Sequence, residues 1–148
     1  MMGKEDLPMS AVRCAGRPGT EAVDRLINVV IVEDYAPFHA LYKQVLAEHP
    51  AIRCAGVAAT GQEALRLAEE LRPDVLLLDI SLPDGHWMGT MRLLKAVCPT
   101  TQIVVLGEEG REDYRVAAKA SGASAYLRKQ HTIEYLVPLI LDLTGQPN

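Results

Sequence analysis

The sequence is poor in the residues that mark several common functional sites. Its 148 residues include three cysteines, Cys14, Cys54 and Cys98, and no two of them form a C-x-x-C pair. An odd number of widely separated cysteines does not support a zinc site or a disulfide framework. Small apolar thiols in a reducing compartment are the simpler interpretation, so we expect a cytoplasmic protein.

Long hydrophobic runs and long basic runs are also missing. No stretch approaches the roughly 18 apolar residues of a membrane-spanning helix, and the N-terminal segment lacks the continuous apolar core of a secretion signal. The formal net charge is −4, without a cluster of lysine and arginine. We therefore expect neither a membrane contact nor direct binding to nucleic acid.

Length and composition indicate one globular domain. The chain is 49% hydrophobic and 23% charged, which is ordinary for a globular protein of this size. Residues 1–26 mix glycine, proline and charged residues. We expect them to form a flexible N-terminal tail, followed by a folded domain over residues 27–144 and a short C-terminal tail over residues 145–148.

From residue 28 onward, apolar runs alternate with segments of helical spacing. The patterns predict strands at 28–32, 52–58, 74–79, 102–106 and 124–127, and helices at 37–49, 60–72, 89–98, 111–121 and 132–143. Apolar runs without polar alternation are typical of strands buried on both faces. Strict alternation of strand and helix predicts an α/β fold with a parallel sheet, and a flavodoxin-like (βα)5 sheet of strand order 2-1-3-4-5 is the natural arrangement.

Two of the predicted helices carry further signals. Thr60 stands three residues before Glu63, which predicts a capping box at the second helix. The last helix has apolar residues on more than one face. Its predicted core face comprises Ile133, Leu136, Val137 and Ile140. The remaining apolar residues, such as Tyr135, indicate either tight packing against a neighbouring helix or a surface for a dimer or another partner.

Acidic residues follow two strands that such a sheet places side by side. Glu33 and Asp34 come directly after the first strand, and Asp79 ends the third. In this fold a ligand binds beyond the carboxyl ends of these strands, where the strand order reverses. Crowded carboxylates repel one another, and a hard cation such as Mg²⁺ relieves the repulsion. Lys129 follows the fifth strand, where it would anchor a phosphoryl oxygen.

Three segments carry a resemblance to a known family. "VVIVEDYAPF", "DVLLLDISLPDG" and "GASAYLRK" resemble the receiver domain of two-component response regulators, over residues 28–143. The helix-turn-helix transcription regulator branch looks closest. The resemblance implies that Asp79 accepts a phosphoryl group and that Lys129 pairs with it. It implies a Mg²⁺ site formed by Glu33, Asp34, Asp79 and the backbone carbonyl of Ser81.

The resemblance also implies roles for two other residues and for partners. Pro83 matches the turn proline after the acceptor, and Tyr126 matches the aromatic residue that changes rotamer on activation. The implied donor is a histidine kinase or a histidine phosphotransfer protein. The implied partner that recognises the activated domain is a downstream protein or a second copy of the chain, bound through the last two helices and the fifth strand. Beyond its own phosphorylation and dephosphorylation, no enzymatic activity is implied.

The sequence departs from the family pattern at the end of the fourth strand. Gly107 stands where the family carries Thr or Ser, and Glu108 follows where a small residue is usual. The missing hydroxyl removes a hydrogen bond to the phosphoryl group, worth about 1.5–3 kcal/mol for a charged acceptor. Coupling would then weaken by about 10- to 100-fold. The carboxylate of Glu108 would either repel a phosphate or point to solvent.

Three interpretations of Gly107 are open. The favoured one is a weakened switch in which Asp79 is still phosphorylated. In the second, the domain signals without phosphorylation, through binding or dimer contacts. In the third, the backbone N–H of Glu108 and the mobility of glycine replace the hydroxyl. If the first holds, Gly107→Thr should strengthen the activated state.

The sequence is compatible with more than one functional class. The leading hypothesis is a stand-alone receiver, because only "TGQPN" follows the last helix. A receiver fragment of a DNA-binding transcription regulator is the main alternative. A haloacid-dehalogenase-type phosphatase would need a second aspartate where this chain has Ser81. A dinucleotide-binding enzyme is disfavoured, because no G-x-G-x-x-G or Walker A motif is present.

Overall fold

A computed structural model describes residues 25–146, so nearly all of the predicted N-terminal tail lies outside the described residues. In chain order, the elements are β1 (Ile27–Val32), α1 (Ala36–Ala47), β2 (Ile52–Ala58), α2 (Gly61–Leu71), β3 (Val75–Asp79), α3 (Trp87–Val97), β4 (Gln102–Gly107), α4 (Glu112–Ala120), β5 (Ala125–Arg128) and α5 (Thr132–Leu143). A 3₁₀ turn, Lys129–His131, joins β5 to α5. The predicted elements are all confirmed, with bounds that shift by at most two residues.

The five strands form one parallel sheet of order β2-β1-β3-β4-β5, as predicted. Val32 at the end of β1 pairs with Leu78 of β3, and Asp79 pairs with Leu106 of β4. Gly107, the last residue of β4, pairs with Arg128 of β5. This register brings the carboxyl ends of β1, β3, β4 and β5 to one edge, where the site is built.

Both faces of the sheet are covered, which explains the apolar runs of the central strands. Val30 and Leu76 pack on one face with Met91 and other residues of α2 and α3. Val29 and Leu77 pack on the opposite face, against residues of α1 and α5. Successive strand residues point to opposite faces, so a strand buried on both sides must be apolar at every position.

Local hydrogen bonds hold α2 and the loop after β3 together. Glu63 donates its backbone N–H to Thr60 Oγ1 at 3.1 Å, and its carboxylate accepts from the backbone N–H of Ala59 at 2.8 Å. The predicted cap is therefore confirmed. Asp84 accepts from the backbone N–H of Gly61 at 2.9 Å. This contact joins the loop that follows Asp79 to the start of α2.

The predicted core face of α5 is only partly correct. Leu136 and Ile140 are fully buried, but Ile133 is 64% exposed. Ile133 lies in the first turn of α5 and lines an apolar cleft with Phe38 and Leu41 of α1. The helix runs without interruption through Pro138. Among the helices described, none has the length and apolar character needed to cross a membrane.

Candidate functional site

Three carboxylates meet at the carboxyl edge of the sheet, as the sequence predicted. Glu33, Asp34 and Asp79 each bring a carboxylate oxygen within 4.8 Å of the others. Glu33 and Asp79 are each 1% exposed, whereas Asp34 is exposed. Two of the acidic side chains are therefore inside the protein and the third faces solvent, so an ion can reach the group from outside.

Lys129 places its amine among these carboxylates. Its Nζ atom lies 2.7 Å from Asp79 Oδ1 and 3.6 Å from Glu33 Oε1. The same atom lies 4.8 Å from the centre of the Phe38 ring, where a cation–π attraction adds to its placement. The 3₁₀ turn after β5 delivers this side chain to the pocket. One amine thus faces three carboxyl groups in this pocket.

The carboxyl group of Glu33 is affected most by its burial. Burial raises the pKa of its carboxyl group to about 7, and the charge of Asp79 acts in the same direction. The backbone N–H of Tyr35, which donates to Oε2 at 3.2 Å, and the amine of Lys129 oppose the shift. Within the described part of the chain, Glu33 Oε1 has no hydrogen-bond donor. A buried oxygen without a donor, next to two further carboxylates, suits a hard divalent cation.

The loop after β3 adds a contact that sequence reasoning did not assign. The Ser81 hydroxyl lies 3.2 Å from both carboxylate oxygens of Asp79 and donates to them. Sequence reasoning considered only the backbone carbonyl of Ser81, although a serine two residues after the aspartate was a visible signal. Pro83 is exposed in the same loop and makes no part of the acidic group.

The end of β4 holds an arrangement that the sequence did not predict. Gly107 is buried, and the hydroxyl of Tyr126 lies 2.0 Å from the position a Cβ atom would take there. The same hydroxyl donates to the backbone carbonyl of Glu108 at 3.2 Å. The Glu108 side chain is exposed. Tyr126 therefore fills the space that a Thr or Ser side chain at position 107 would need.

A second tyrosine lies beneath the acidic group. Tyr42 of α1 is fully buried and stacks on Phe38 with ring centres 6.1 Å apart. Burial raises the pKa of its hydroxyl, and the charges of Glu33 and Asp79 raise it further. Its proximity to the carboxylates depends on how α1 crosses the sheet, which spacing does not specify.

Comparison with known proteins identifies the family to which the chain belongs. A sequence profile of the response regulator receiver domain matches residues 29–141. The chain belongs to the response regulator receiver family. This match confirms the receiver domain of two-component response regulators that the resemblance implied. The sheet order confirms the expected fold.

Curated relatives share the receiver but are longer. The chain is 32% identical over 130 residues to a protein-glutamate methylesterase/protein-glutamine glutaminase of Thermotoga maritima, an alignment that covers 83% of this chain and 38% of the relative. It is 30% identical over 110 residues to the nitrate/nitrite response regulator protein NarL of Escherichia coli strain K12, covering 74% of this chain and 51% of that protein. The receiver thus spans about half or less of these relatives.

Solved structures show the same fold. The response regulator domain of Thermotoga maritima CheB superposes with a TM-score of 0.74 at 24% identity, over 84% of this chain and 100% of that one. The signal receiver domain of NarL from Mycobacterium tuberculosis gives a TM-score of 0.76 at 24% identity, over 82% of this chain and 99% of that one. At this identity the likeness establishes the architecture, and the site residues must be argued from their own geometry.

Proposed function

We propose that this receiver accepts a phosphoryl group on Asp79 from a phosphohistidine of a histidine kinase or a histidine phosphotransfer protein. The observation that carries the proposal is the contact of 2.7 Å between Lys129 Nζ and Asp79 Oδ1 inside the acidic pocket. A buried carboxylate beside one amine and two further carboxylates has the parts that phosphoryl transfer needs, namely a nucleophile and groups that neutralise developing charge.

The two oxygens of Asp79 have different surroundings. Oδ1 lies 2.7 Å from Lys129 Nζ, whereas Oδ2 accepts from the Ser81 hydroxyl at 3.2 Å. We assign Oδ2 as the nucleophile because it keeps the freer lone pairs. It forms the new bond to phosphorus while the phosphorus–nitrogen bond to the donor imidazole breaks. The bonding electron pair stays on the donor ring, which carries a proton on its other nitrogen and leaves as neutral imidazole. Lys129 then faces the negative charge of the transferred group.

The residues at the edge fit a Mg²⁺ ion. Glu33, Asp34 and Asp79 would supply carboxylate oxygens, and the backbone carbonyl of Ser81 would complete the protein's share of the ligands, as the family resemblance implies. When bound, the ion neutralises charge on the phosphoryl oxygens. The oxygen of Glu33 that has no donor among residues 25–146 supports the fit.

The partners follow from the exposed surface of the last elements. Val116 of α4 is 56% exposed, and Ile133 and Tyr135 of α5 are 64% and 53% exposed. Exposed apolar side chains on the two helices that contact the edge strand β5 support binding of a downstream protein or a second copy through α4, β5 and α5. In this proposal the domain signals in the cytoplasm and catalyses no reaction beyond its own phosphorylation and dephosphorylation.

Two arrangements of the whole protein are consistent with this role. A stand-alone receiver is our leading proposal. The second candidate is the receiver segment of a DNA-binding transcription regulator, which the 30% identity to the transcriptional regulatory protein DegU of Brevibacillus brevis favours. In both, the absence of a hydroxyl at Gly107 is expected to weaken the response to phosphorylation, and signalling without phosphorylation is the limiting case.

Incubation with acetyl phosphate and Mg²⁺, followed by intact-mass measurement, tests the proposal. We expect the 148-residue chain to gain the mass of one phosphoryl group and Asp79→Asn to gain none. Asp142→Asn is the matched control, because Asp142 is exposed near the end of α5. An adduct that persists in Asp79→Asn, or a wild-type chain without an adduct, would overturn the assignment.

A further inference from the structure

Gly107 and Tyr126 share one space at the end of β4. A Cβ atom on Gly107 would lie 2.0 Å from the Tyr126 hydroxyl oxygen and 2.4 Å from the ring carbon that bears it. Both distances are far shorter than a van der Waals contact, and the atoms belong to a rigid ring. Every other amino acid at position 107 is therefore incompatible with the observed position of Tyr126.

Backbone conformation does not explain the glycine. Gly107 ends a regular strand, and within residues 25–146 it is not among the glycines with positive φ, which are Gly85, Gly110, Gly122 and Gly145. An alanine could adopt the same backbone angles. The missing side chain therefore matters here for the room that it leaves to Tyr126.

Two interactions hold Tyr126 in this inward position. Its hydroxyl donates to the Glu108 carbonyl at 3.2 Å, in the loop that follows β4. Its ring packs against the buried cluster formed by residues of β3, β4 and α3, and burial raises the pKa of its hydroxyl. The tyrosine is thus fastened to the β4–α4 loop without any contribution from a side chain at position 107.

Space for another position of the ring exists on the surface. A cleft of about 350 Å³ borders Tyr126 and is lined by Arg111, Arg115, Arg128 and His131, among others. These residues come from the N-terminal side of α4, from β5 and from the turn before α5. A ring that left Gly107 would enter this cleft and change the shape of the surface there.

We propose that Gly107 makes the inward position of Tyr126 the resting form of this receiver, so that the α4–β5–α5 surface has one shape whether or not Asp79 is phosphorylated. The independence from phosphorylation rests on the proposed function, whereas the placement of Tyr126 does not. A partner that recognises this surface then binds the unmodified domain. Phosphorylation changes the acidic pocket at the sheet edge and leaves the α4–β5–α5 surface as it is. Gly107→Thr, rather than only adding a hydroxyl, must first expel Tyr126.

Fluorine NMR of protein labelled with 3-fluorotyrosine tests the proposal. Tyr126→Phe identifies the Tyr126 resonance among the five tyrosines. Beryllofluoride with Mg²⁺ mimics the phosphoryl group, and a soluble paramagnetic chelate reports exposure by line broadening. We expect Tyr126 to be equally protected with and without beryllofluoride in wild type, and several-fold more broadened by the chelate in Gly107→Ala.

The matched control is Gly89→Ala. Gly89 also has negative or extended φ, and the nearest atom to its missing Cβ lies 4.0 Å away. This variant should leave the Tyr126 resonance unchanged. A wild-type Tyr126 that becomes exposed when beryllofluoride binds, or a Gly107→Ala protein with Tyr126 still protected, would overturn the proposal.

A double-mutant cycle of folding stability tests the proposal even if Gly107→Ala folds poorly. The Ala substitution should lower the folding equilibrium constant by about tenfold when Tyr126 is present and have little effect in the Tyr126→Ala background, as contacting residues are coupled. If Gly107→Ala lowered the folding equilibrium constant equally in both backgrounds, the proposed clash between residue 107 and Tyr126 would be refuted. The bound beryllofluoride has its own fluorine resonance, so failure of the anion to bind is recognised separately and bears on the proposed function alone.

Discussion

Lys129 Nζ lies 2.7 Å from Asp79 Oδ1, and Asp79 is 1% exposed while the lysine side chain is 18% exposed. The lysine belongs to the turn after β5, and the aspartate ends β3, two strands away in the sheet. The ion pair therefore joins the centre of the sheet to its β5 edge across the site. It is also the shortest contact that Asp79 makes to a cation among the described residues.

Lys129→Met should destabilise the protein and slow phosphorylation. Removal of one partner of a fully buried ion pair costs about 3–5 kcal/mol, and we expect less here because Lys129 keeps some contact with water. Urea unfolding without metal measures the loss, and acetyl phosphate labelling measures the rate. Lys119→Met, at an exposed position on α4, is the control and should change neither quantity. Unchanged labelling in Lys129→Met would contradict the role of this amine.

Glu33 should make stability without metal depend on pH. Its pKa is raised from 4.5 to about 7, so the folded state holds a proton that the unfolded state releases. The stabilisation is complete below pH 4.5 and is lost as pH rises through about 7. The expected loss is on the order of 1–3 kcal/mol. Mg²⁺ needs the ionised carboxylate, so the ion should stabilise the protein more at pH 8 than at pH 5.5.

Glu33→Gln tests this assignment. The amide cannot ionise, so the pH dependence between 4.5 and about 7 should flatten, and the stabilisation by Mg²⁺ should fall. Glu48→Gln, which replaces an exposed carboxylate at the end of α1, should leave both properties as in wild type. Chemical unfolding over this pH range, with and without Mg²⁺, decides the matter. A Glu33→Gln protein with the wild-type pH profile would rule out Glu33 as the source.

Ser81→Ala should accelerate phosphorylation of Asp79. The Ser81 hydroxyl donates to both carboxylate oxygens at 3.2 Å, which lowers the availability of their lone pairs. The contact is long and only partly buried, because Ser81 itself is exposed, so we expect a rate increase of about two- to tenfold rather than the full value of a charged hydrogen bond. Acetyl phosphate labelling followed in time measures it, with Ser121→Ala at the end of α4 as control. A slower reaction would indicate that the hydroxyl assists the transferred group instead.

Thr60→Ala should affect stability alone. The substitution removes the hydroxyl that accepts from the backbone N–H of Glu63, and loss of such a cap costs about 0.5–2 kcal/mol. Thermal or urea unfolding should show this decrease. Labelling of Asp79 under folding conditions should match wild type, because α2 contributes no side chain to the acidic group. A large change in labelling would show that the hydrogen bond between Asp84 and the start of α2 controls the conformation of the loop after Asp79.

The sequence by itself determined the fold and the position of the acidic group. The five apolar runs are local patterns, and a parallel sheet brings the residues that follow strand ends to one edge without further information. Glu33, Asp34, Asp79 and Lys129 needed only their place at a strand end to be predicted as neighbours. The shifts of one or two residues in element bounds do not affect this reasoning.

Only the tertiary structure decided which side chain fills the space beside Gly107. The sequence shows a glycine where a hydroxyl is expected, but Tyr126 lies far away in the chain and reaches that space only through the pairing of β4 with β5. The exposure of Ile133 has a similar cause. Helical spacing predicts which residues share a face of α5, whereas the cleft between α5 and α1 decides how much of that face is covered. Contacts between distant segments depend on register and shape, which local periodicity does not contain.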